Sequence, residues 1–385
     1  MKASFYFFRL TFILVFAGFL SQASAQYDEW KHSGSTYIVT DSAGADLPAS
    51  AVEKNFPLLI RLNKDYFDFS EAKPRGEDVR FSSKGKPLAY QIERWDAEGG
   101  EADIWVRIPT IKGKDQQAIK MHWGNDKVST ESNGEHVFRT TEGFAAVWHL
   151  GDNLEDATSN NLDGVNRPDK PTVNTTGIIG DAQEFGVNQI LVIRPPGAKP
   201  GRRVTCMPSG NADRTMSAWV NPTSFEGRNW AQASIGGWGE PERGQKPNMG
   251  LSYFTMTGRG QPRFHLYGFD PRCASLLPRN EWRHVALAVS GDMVRFYVDG
   301  IQNRTINNNG EAVTRLGTLR TPKSTPVDLG DHGNGRGPFN GALDEVRFES
   351  VARSDDWLRL SFENQKPLQS LVGPLVQDGD EFSVS

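Results

Sequence analysis

The segment "WRHVALAVSGDMVRFYVDG" at residues 282–300 decides the fold class of this chain. Residues 282–290 and residues 293–300 are two short runs rich in Val, Ala, Phe and Tyr, which is typical of β-strands. Gly291 and Asp292 separate the two runs, and such a pair is typical of a short hairpin turn. The segment therefore predicts two adjacent antiparallel strands.

Similar short runs typical of β-strands recur along most of the 385 residues. In the N-terminal half these runs are "FPLLIRL" (56–62), "DVRFSS" (78–83), "LAYQIERW" (88–95), "ADIWVRIP" (102–109) and "AIKMHW" (118–123). A polar stretch follows at residues 124–138, and the pattern restarts in "FAAVWHLGD" (144–152) and continues to "ALDEVRFES" (342–350). Short strands separated by turn residues, without a helical pattern between them, predict an all-β chain of antiparallel sandwiches. One short helix is predicted at residues 353–364, with Ser354 as its N-cap.

The net charge bears on the partners of the chain, and its N-terminal residues predict export. The formal net charge is -4, with acids and bases interspersed, so nucleic acid is not an expected partner. Lys2 and Arg9 precede an apolar run at residues 10–20, and Ala23-Ser24-Ala25 forms a small-residue cleavage site, which together predict a secretory signal. We expect a mature chain that starts near Gln26, has no membrane span, and lies in the periplasm or at the cell surface. An uncleaved anchor is the alternative.

The chain has two cysteines, Cys206 and Cys273. In an oxidising compartment the simple expectation is one disulfide between them. Two separate buried thiols are the alternative, because sequence alone does not place their Cα atoms within bonding distance.

Residues 52–125 resemble the module known as domain of unknown function 2341. The resemblance lies in the blocks "FPLLIRL", "GEDVRF", "LAYQIERWD", "ADIWVRIP" and "MHWGN". It implies a β-sandwich and no mechanism, because that family has no established activity.

Residues 143–364 resemble the laminin-G-like, concanavalin A-like jelly-roll superfamily. The resemblance lies in "VWHLGD", "GDAQEFG", "TMSAWVNPTSF", "EWRHVALAVSGDMVRFYVDGI" and "FNGALDEVRFESVARSDDW". The predicted division of the chain is therefore a signal peptide (1–25), an N-terminal β-sandwich (26–138), a concanavalin A-like jelly roll (139–366) and a C-terminal tail (367–385).

Two adjacent acids near the end of the chain, Asp344 and Glu345, raise the question of catalysis. In a regular strand they point to opposite faces, so they do not form a retaining-glycosidase pair, whose carboxyl groups lie ~5 Å apart across one bond. The acid pattern of hydrolases in the resembled superfamily, Glu-x-Asp-x-x-Glu, is missing here. Glu345 and Arg347 are expected to be an exposed pair on the same strand face.

Asp344 shares its strand face with Val346 and Phe348, and a carboxylate on an apolar face must be hydrogen-bonded, paired or bound to a metal. The jelly-roll resemblance implies a structural calcium held by Asp344, with further oxygens supplied around Asp152 and Asp181. The alternative is that Asp344 accepts backbone N–H hydrogen bonds from a neighbouring loop.

Aromatic residues in the middle of the jelly roll predict a glycan-binding surface, since sugar faces stack on such rings. The predicted ligand-binding residues are Trp230, Trp238, Tyr253 and Tyr267. Trp230 and Trp238 lie among Gly, Asn and Glu, which favours exposure. The alternative is that these rings belong to the core, the usual place of aromatic side chains.

These observations predict an exported, non-catalytic binding or structural module that recognises a glycan or an envelope protein. A polysaccharide hydrolase or lyase on the concanavalin A-like scaffold is the second hypothesis. The third is a periplasmic accessory part of a TolQ/ExbB-type transport complex, because the pair of modules resembles proteins linked to such channels. The missing acid motif disfavours the hydrolase.

Overall fold

A computed structural model describes residues 25–195, 197–199, 203–225, 233–240, 249–313, 315–331 and 337–379. The predicted signal segment, apart from its last residue, and the predicted ligand residue Trp230 lie outside the described residues. None of the helices in the described part of the chain is long and apolar enough to span a lipid bilayer.

Strands make up most of the regular secondary structure of the described residues. The strands of the first half are β1 (His32–Val39), β2 (Val52–Asn63), β3 (Arg80–Ser83), β4 (Lys86–Leu88), β5 (Tyr90–Asp96), β6 (Glu101–Lys112) and β7 (Gln116–Trp123). The remaining strands are β8 (Phe144–Trp148), β9 (Asp163–Asn166), β10 (Val173–Thr176), β11 (Asp181–Phe185), β12 (Leu191–Arg194), β13 (Arg214–Ser224), β14 (Ala233–Gly239), β15 (Leu251–Met256), β16 (Pro262–His265), β17 (Arg272–Cys273), β18 (Arg283–Ser290), β19 (Met293–Val298), β20 (Ile301–Asn303), β21 (Thr305–Ile306), β22 (Val327–Leu329), β23 (Asn340–Glu349) and β24 (Val376–Gln377). The helical segments are two α-helices, Gly134–Val137 and Asp355–Gln365, and three 3₁₀ turns, Ala25–Tyr27, Phe69–Glu71 and Thr140–Glu142.

Two sheets form the N-terminal sandwich. One has the strand order β24-β1-β7-β3-β4 and the other the order β2-β6-β5, and all of their pairings are antiparallel. The apolar faces of these strands meet in a core that contains Trp105, Trp123 and Phe81, each at most 1% exposed. The residues predicted as a tail return to this sandwich, because β24 pairs with β1.

Two larger sheets form the jelly roll. The first has the order β10-β11-β23-β13-β18-β19-β20, with β8 paired to β23, and the second has the order β21-β17-β16-β15-β14-β22-β12-β9. The hairpin predicted at residues 282–300 is confirmed, since β18 and β19 pair from Val285↔Val298 to Ser290↔Met293. The predicted all-β fold class, a β-sandwich followed by a concanavalin A-like jelly roll, is confirmed.

The helix Asp355–Gln365 joins the two halves. Ser354 caps it as predicted, because its hydroxyl accepts a hydrogen bond from the backbone N–H of Trp357 at 2.9 Å. The helix packs against β2, where Trp357 meets Phe56 at 4.9 Å between ring centroids. Both halves contribute residues to one buried apolar cluster, so the two sandwiches are in direct contact. The predicted boundary between residues 138 and 139 stays a prediction.

The disulfide prediction is wrong in this structure, because Cys206 and Cys273 are both free thiols. Cys273 ends β17, whereas Cys206 follows Val204, which bridges to Thr325 beside β22. Strands β16, β15 and β14 lie between β17 and β22, which amounts to about 19 Å at the usual strand spacing. A disulfide needs Cα atoms within about 7 Å, so the positions of the two residues in the sheet exclude the bond. Burial raises the pKa of both thiols.

Candidate functional site

A β-bulge in β23 interrupts the regular strand pairing at Asp344 and Glu345. Ser217 of β13 is opposite Arg347, but Trp219 is opposite Asp344, so one residue of β13 faces two of β23. Glu345 lies in the bulge with a φ of 51°, a left-handed conformation that is uncommon for a residue other than glycine. Bulges re-aim side chains and occur often beside functional sites.

Glu345 is buried rather than exposed, because β23 is covered on both faces from Gly341 to Glu349. Its side chain has no exposed surface, and its Oε2 accepts from Nη2 of Arg347 at 2.5 Å, with Arg347 itself 5% exposed. The prediction of a solvent-exposed Glu345–Arg347 pair is therefore wrong. A buried charge of this kind is stable only when it is paired and hydrogen-bonded.

Glu345 belongs to a cluster with two side chains that were not predicted as site residues, Glu93 and His149. Nδ1 of His149 lies 2.5 Å from Oε1 of Glu345 and 3.2 Å from Oε2 of Glu93. Nε2 of His149 lies 3.2 Å from Oε1 of Gln91. Trp105 donates its indole N–H to Glu93 at 2.5 Å and stacks on the imidazole at 5.9 Å. The cluster joins β5 of the first sandwich to β8 and β23 of the second.

The two carboxylates of this cluster differ in their affinity for protons. Burial, followed by the charge of Glu345, raises the pKa of Glu93 well above its usual range. Burial also opposes ionisation of Glu345, but the charges and hydrogen bonds of His149 and Arg347 outweigh it and hold the pKa of Glu345 below its usual value. Such separation of two neighbouring carboxyl groups is common at functional sites.

Asp344 is held by the loop between β10 and β11. Its Oδ2 accepts from the backbone N–H groups of Ile178 at 2.7 Å and Ile179 at 3.0 Å, and the residue is fully buried. This is the hydrogen-bonded alternative considered from the sequence. Burial, then the charge of Glu345, raises the pKa of Asp344 well above its usual range.

The three residues of the calcium prediction lie at different depths. The side chains of Asp152 and Asp181 are exposed and line a cleft, whereas Asp344 lies beneath the surface. Among the described residues, the group of three ligating side chains whose donor atoms lie within 4.8 Å of one another consists of Glu93, His149 and Glu345. Calcium binding by Asp344, with further oxygens supplied around Asp152 and Asp181, stays a prediction.

A cleft of about 640 Å³ opens at the junction of the two sandwiches. Residues 91–96 of β5 form one wall, and residues 149–161 with Gly180 and Asp181 form the other. Its acidic lining residues are Glu93, Asp96, Glu135, Asp152, Glu155, Asp156 and Asp181. The cleft is therefore polar and predominantly acidic, with His149 at its floor.

A second cavity of about 410 Å³ lies next to the cleft and shares Arg94 and Gly180 with it. Arg61, Tyr66 and Asp103 line it from the first sandwich. Arg94 carries ion pairs to Glu101 and to Asp103, so this side chain is held between the two spaces. The junction therefore contains two adjacent cavities, with Arg94 and Gly180 between them.

The aromatic surface predicted from the sequence is not present as expected. Trp238 is fully buried and donates its indole N–H to the carbonyl of Pro208 at 2.9 Å. Tyr253 is 2% exposed, and its hydroxyl donates to Asp328 at 3.3 Å. The Trp238 ring fills the apolar core, as the alternative proposed, so its prediction as a ligand-binding residue is wrong. Tyr253 is buried but is not part of the apolar core that contains Trp238, and ligand binding by Tyr253 stays a prediction. Tyr267 is 36% exposed.

Glu93 and His149 were missed although a local signal marked them. Each is a polar residue inside or directly after a strong strand pattern, in "QIERW" and "FAAVWHL". A charged side chain in such a position is either on the solvent face or deliberately paired. Nothing in the sequence showed that these two distant segments meet.

The fold and this junction make the chain an all-β protein of two joined sandwiches, and two family models match separate parts of it. Residues 75–151 match the family model described as domain of unknown function (DUF2341). Residues 202–359 match the concanavalin A-like lectin/glucanases superfamily. Both predicted resemblances are confirmed, in the predicted order. Among curated proteins, no sequence matches the chain.

Several solved structures are similar in part. Domain 4 of AbnA, a GH43 extracellular arabinanase from Geobacillus stearothermophilus in complex with arabinotriose, is 18% identical over 56% of this chain and 97% of that chain, with a TM-score of 0.42. The binding domain of Paraclostridial Mosquitocidal Protein 1 is 12% identical over 58% of this chain and 53% of that chain, with a TM-score of 0.41. The Ruminococcus gnavus IT-sialidase CBM40 bound to α2,3-sialyllactose is 18% identical over 39% of this chain and 83% of that chain, with a TM-score of 0.31. These similarities are too distant to indicate a ligand for this chain.

Proposed function

We propose that this protein is a non-catalytic recognition module of the cell envelope that binds a glycan in the cleft between its two sandwiches. The observation that carries the proposal is the cleft of about 640 Å³ with a polar lining contributed by both halves of the chain. This volume lies within the range of known small-ligand sites. Sites between domains are frequent binding places because two rigid units can present groups from both sides.

The lining suits a ligand rich in hydroxyl groups. Gln91, Asn133, Asn153 and Asn161 offer amide donors and acceptors, and the carboxylates offer further acceptors. The half-buried ring of Trp95 adds an apolar surface in the same wall. A sugar ring combines hydroxyl groups with apolar faces, so this mixture of groups is complementary to it.

The charge of the cleft selects among glycans. Its acids surround one arginine, Arg94, which already carries ion pairs to Glu101 and Asp103. Anionic sugars would meet like charge, which costs affinity at short range. The proposed ligand is therefore a neutral or amino-bearing glycan.

Binding is better supported than hydrolysis. Glycosidases place two carboxyl groups on either side of the scissile bond. Here the Glu345 side chain has no exposed surface and the Glu93 side chain is 8% exposed. Both carboxyl groups instead approach the same nitrogen of His149, so a sugar in the cleft would not contact the two together.

A glycan array of the mature chain, residues 26–385, tests the proposal. Parallel arrays in calcium and in chelator show whether glycan binding depends on the calcium that the jelly-roll resemblance implies. The cleft variant Asp152→Ala/Glu155→Ala removes two exposed acids of the lining, and Asp126→Ala/Asp169→Ala removes two exposed acids outside it. We expect the wild type and the control to retain one neutral or amino-bearing glycan class, and the cleft variant to bind about tenfold more weakly, the cost of ~1.4 kcal/mol. A blank array from folded protein would reject the glycan and favour an envelope protein as the partner.

Export is part of the same proposal and rests on the signal-like residues 1–25. N-terminal sequencing of the protein recovered from a periplasmic or culture fraction should begin near Gln26. Recovery of an intact Met1 from the membrane fraction would support the uncleaved anchor instead.

A further inference from the structure

We propose that Glu93, His149 and Glu345 form a binding site for a divalent transition-metal ion of the zinc class at the floor of the junction cleft. The site is separate from the calcium expectation at Asp344, because it uses other side chains and includes a nitrogen. It does not depend on the identity of the ligand that the cleft binds.

The donor atoms converge as metal ligands do. Nδ1 of His149 and one carboxylate oxygen each of Glu93 and Glu345 all lie within 4.8 Å of one another. They come from β5, from the residue after β8, and from the bulge of β23. Three side chains from three separate segments, one in a left-handed conformation, indicate a built arrangement rather than a chance surface cluster.

The contacts of His149 provide a second observation. Its Nε2 lies 3.2 Å from Oε1 of Gln91, and its Nδ1 faces carboxylate oxygens of both Glu93 and Glu345. One ring nitrogen therefore faces two carboxyl groups at a place where the Glu345 side chain has no exposed surface. A metal ion bound here would contact all three side chains, and a proton held among them is the competing way to supply positive charge.

The contacts around the three residues match those that support metal ligands. The histidine has a hydrogen-bond partner on its other nitrogen, Gln91. Trp105 donates to Glu93, and Arg347 donates to the oxygen of Glu345 that does not face the imidazole. Metal-binding histidines and carboxylates are generally fixed by such outer hydrogen bonds.

The donor set indicates the class of metal. Zinc takes imidazole nitrogen and carboxylate oxygen, often with three protein ligands and one open position. Calcium prefers six to eight oxygen ligands, so an imidazole between two carboxylates suits it poorly. His149 and Glu93 line the cleft, which would leave a bound ion accessible from the cleft side.

Titration of the metal-free mature chain with Zn²⁺, followed by calorimetry, tests the proposal. We expect one Zn²⁺ per chain, and binding that persists in excess Ca²⁺. His149→Ala should weaken Zn²⁺ binding on the order of 100-fold or more, because even outer-sphere changes cost 10- to 100-fold. His136→Ala, which removes an exposed histidine of the nearby short helix, should bind as the wild type does. No Zn²⁺ binding by folded wild type, or equal binding by His149→Ala, would overturn the proposal.

Two further measurements keep the test decisive if His149→Ala does not fold. Glu93→Gln keeps the shape of the side chain and removes its charge, and we expect weaker Zn²⁺ binding by this folded variant. Co²⁺ in place of Zn²⁺ should give an absorption spectrum without a thiolate charge-transfer band. A thiolate band would assign the metal to Cys206 or Cys273 and reject the site, and unchanged binding by Glu93→Gln would reject it as well.

Discussion

The second sheet of the jelly roll and the junction between the sandwiches use their side chains in opposite ways. In the sheet, Trp238, Phe254 and Phe264 are each at most 1% exposed and pack into one apolar core. At the junction, Glu93, His149 and Glu345 join three strands beside a polar cleft. The buried aromatic residues of this sheet therefore stabilise the fold, whereas charged residues inside strand patterns mark the candidate site.

Physical costs explain the contrast. An aromatic ring buries 150–250 Å², so the gain from hiding it outweighs what a weak sugar contact would return. A buried carboxylate is costly unless a partner compensates it. Here the partners come from different sandwiches, as with Glu93 and Glu345 around His149, so the polar cluster persists only where the two units meet.

The largest expected effect concerns the core of the jelly roll. Trp238→Ala removes a fully buried ring and its hydrogen bond to Pro208, which should lower the free energy of unfolding by about 3–5 kcal/mol. Urea denaturation of the mature chain measures this loss. A loss below ~1 kcal/mol would mean that Trp238 is not a core residue and would break the comparison.

The contact between the helix and the N-terminal sandwich should have the next largest effect. The Asn364 side chain accepts from the backbone N–H of Leu59 at 2.6 Å and donates to its carbonyl at 2.9 Å. Asn364→Ala leaves both buried backbone groups unsatisfied, which should cost about 2–4 kcal/mol. In calorimetry we also expect the two sandwiches to separate into two melting transitions. One unchanged transition would show that this clamp does not couple them.

A smaller effect is expected from a titratable group far from the junction, His122 in β7. Burial and then the charge of Lys120 lower the pKa of His122 to about 4, so the folded protein keeps this ring neutral where the unfolded chain protonates it. Its contribution to stability is therefore complete above pH 6.5 and declines as the pH falls from 6.5 to about 4.

His122→Phe keeps a ring against Tyr27, which stacks on His122 at 4.0 Å, and removes the titration. Stability curves against pH for the two proteins should be parallel above pH 6.5, and the wild type should lose stability relative to the variant as the pH falls from 6.5 to about 4. Parallel curves over that range would contradict a depressed pKa of His122.

The smallest expected effect is at Tyr267, the predicted ligand residue that remains exposed among those described. Tyr267→Ala should change the free energy of unfolding by no more than about 0.5 kcal/mol, as for surface positions generally. It should also leave glycan binding within twofold of the wild type. A clear loss of binding would return the ligand site to the jelly-roll sheet.

Much of the fold followed from local patterns. The hairpin at residues 282–300 and the N-cap Ser354 are confirmed because both depend on neighbouring residues alone. The assignment of Glu345 to an exposed face failed because both faces of β23 are buried, and the alternation within one strand does not show which of its faces another part of the chain covers. Glu93 and His149 are 56 residues apart in the chain, and only the packing of the two sandwiches brings them together.

The proposed glycan site at the junction is tested most directly by comparing how substitutions in the cleft and in the jelly-roll sheet change glycan binding. The dissociation constant of the glycan class selected on the array should be measured for the wild type, Asp152→Ala/Glu155→Ala and Tyr267→Ala. We predict about tenfold weaker binding for the cleft variant and a change of less than twofold for Tyr267→Ala, which corresponds to ~0.4 kcal/mol. The reverse pattern, with the cleft variant unchanged and Tyr267→Ala impaired, would contradict a binding site at the junction.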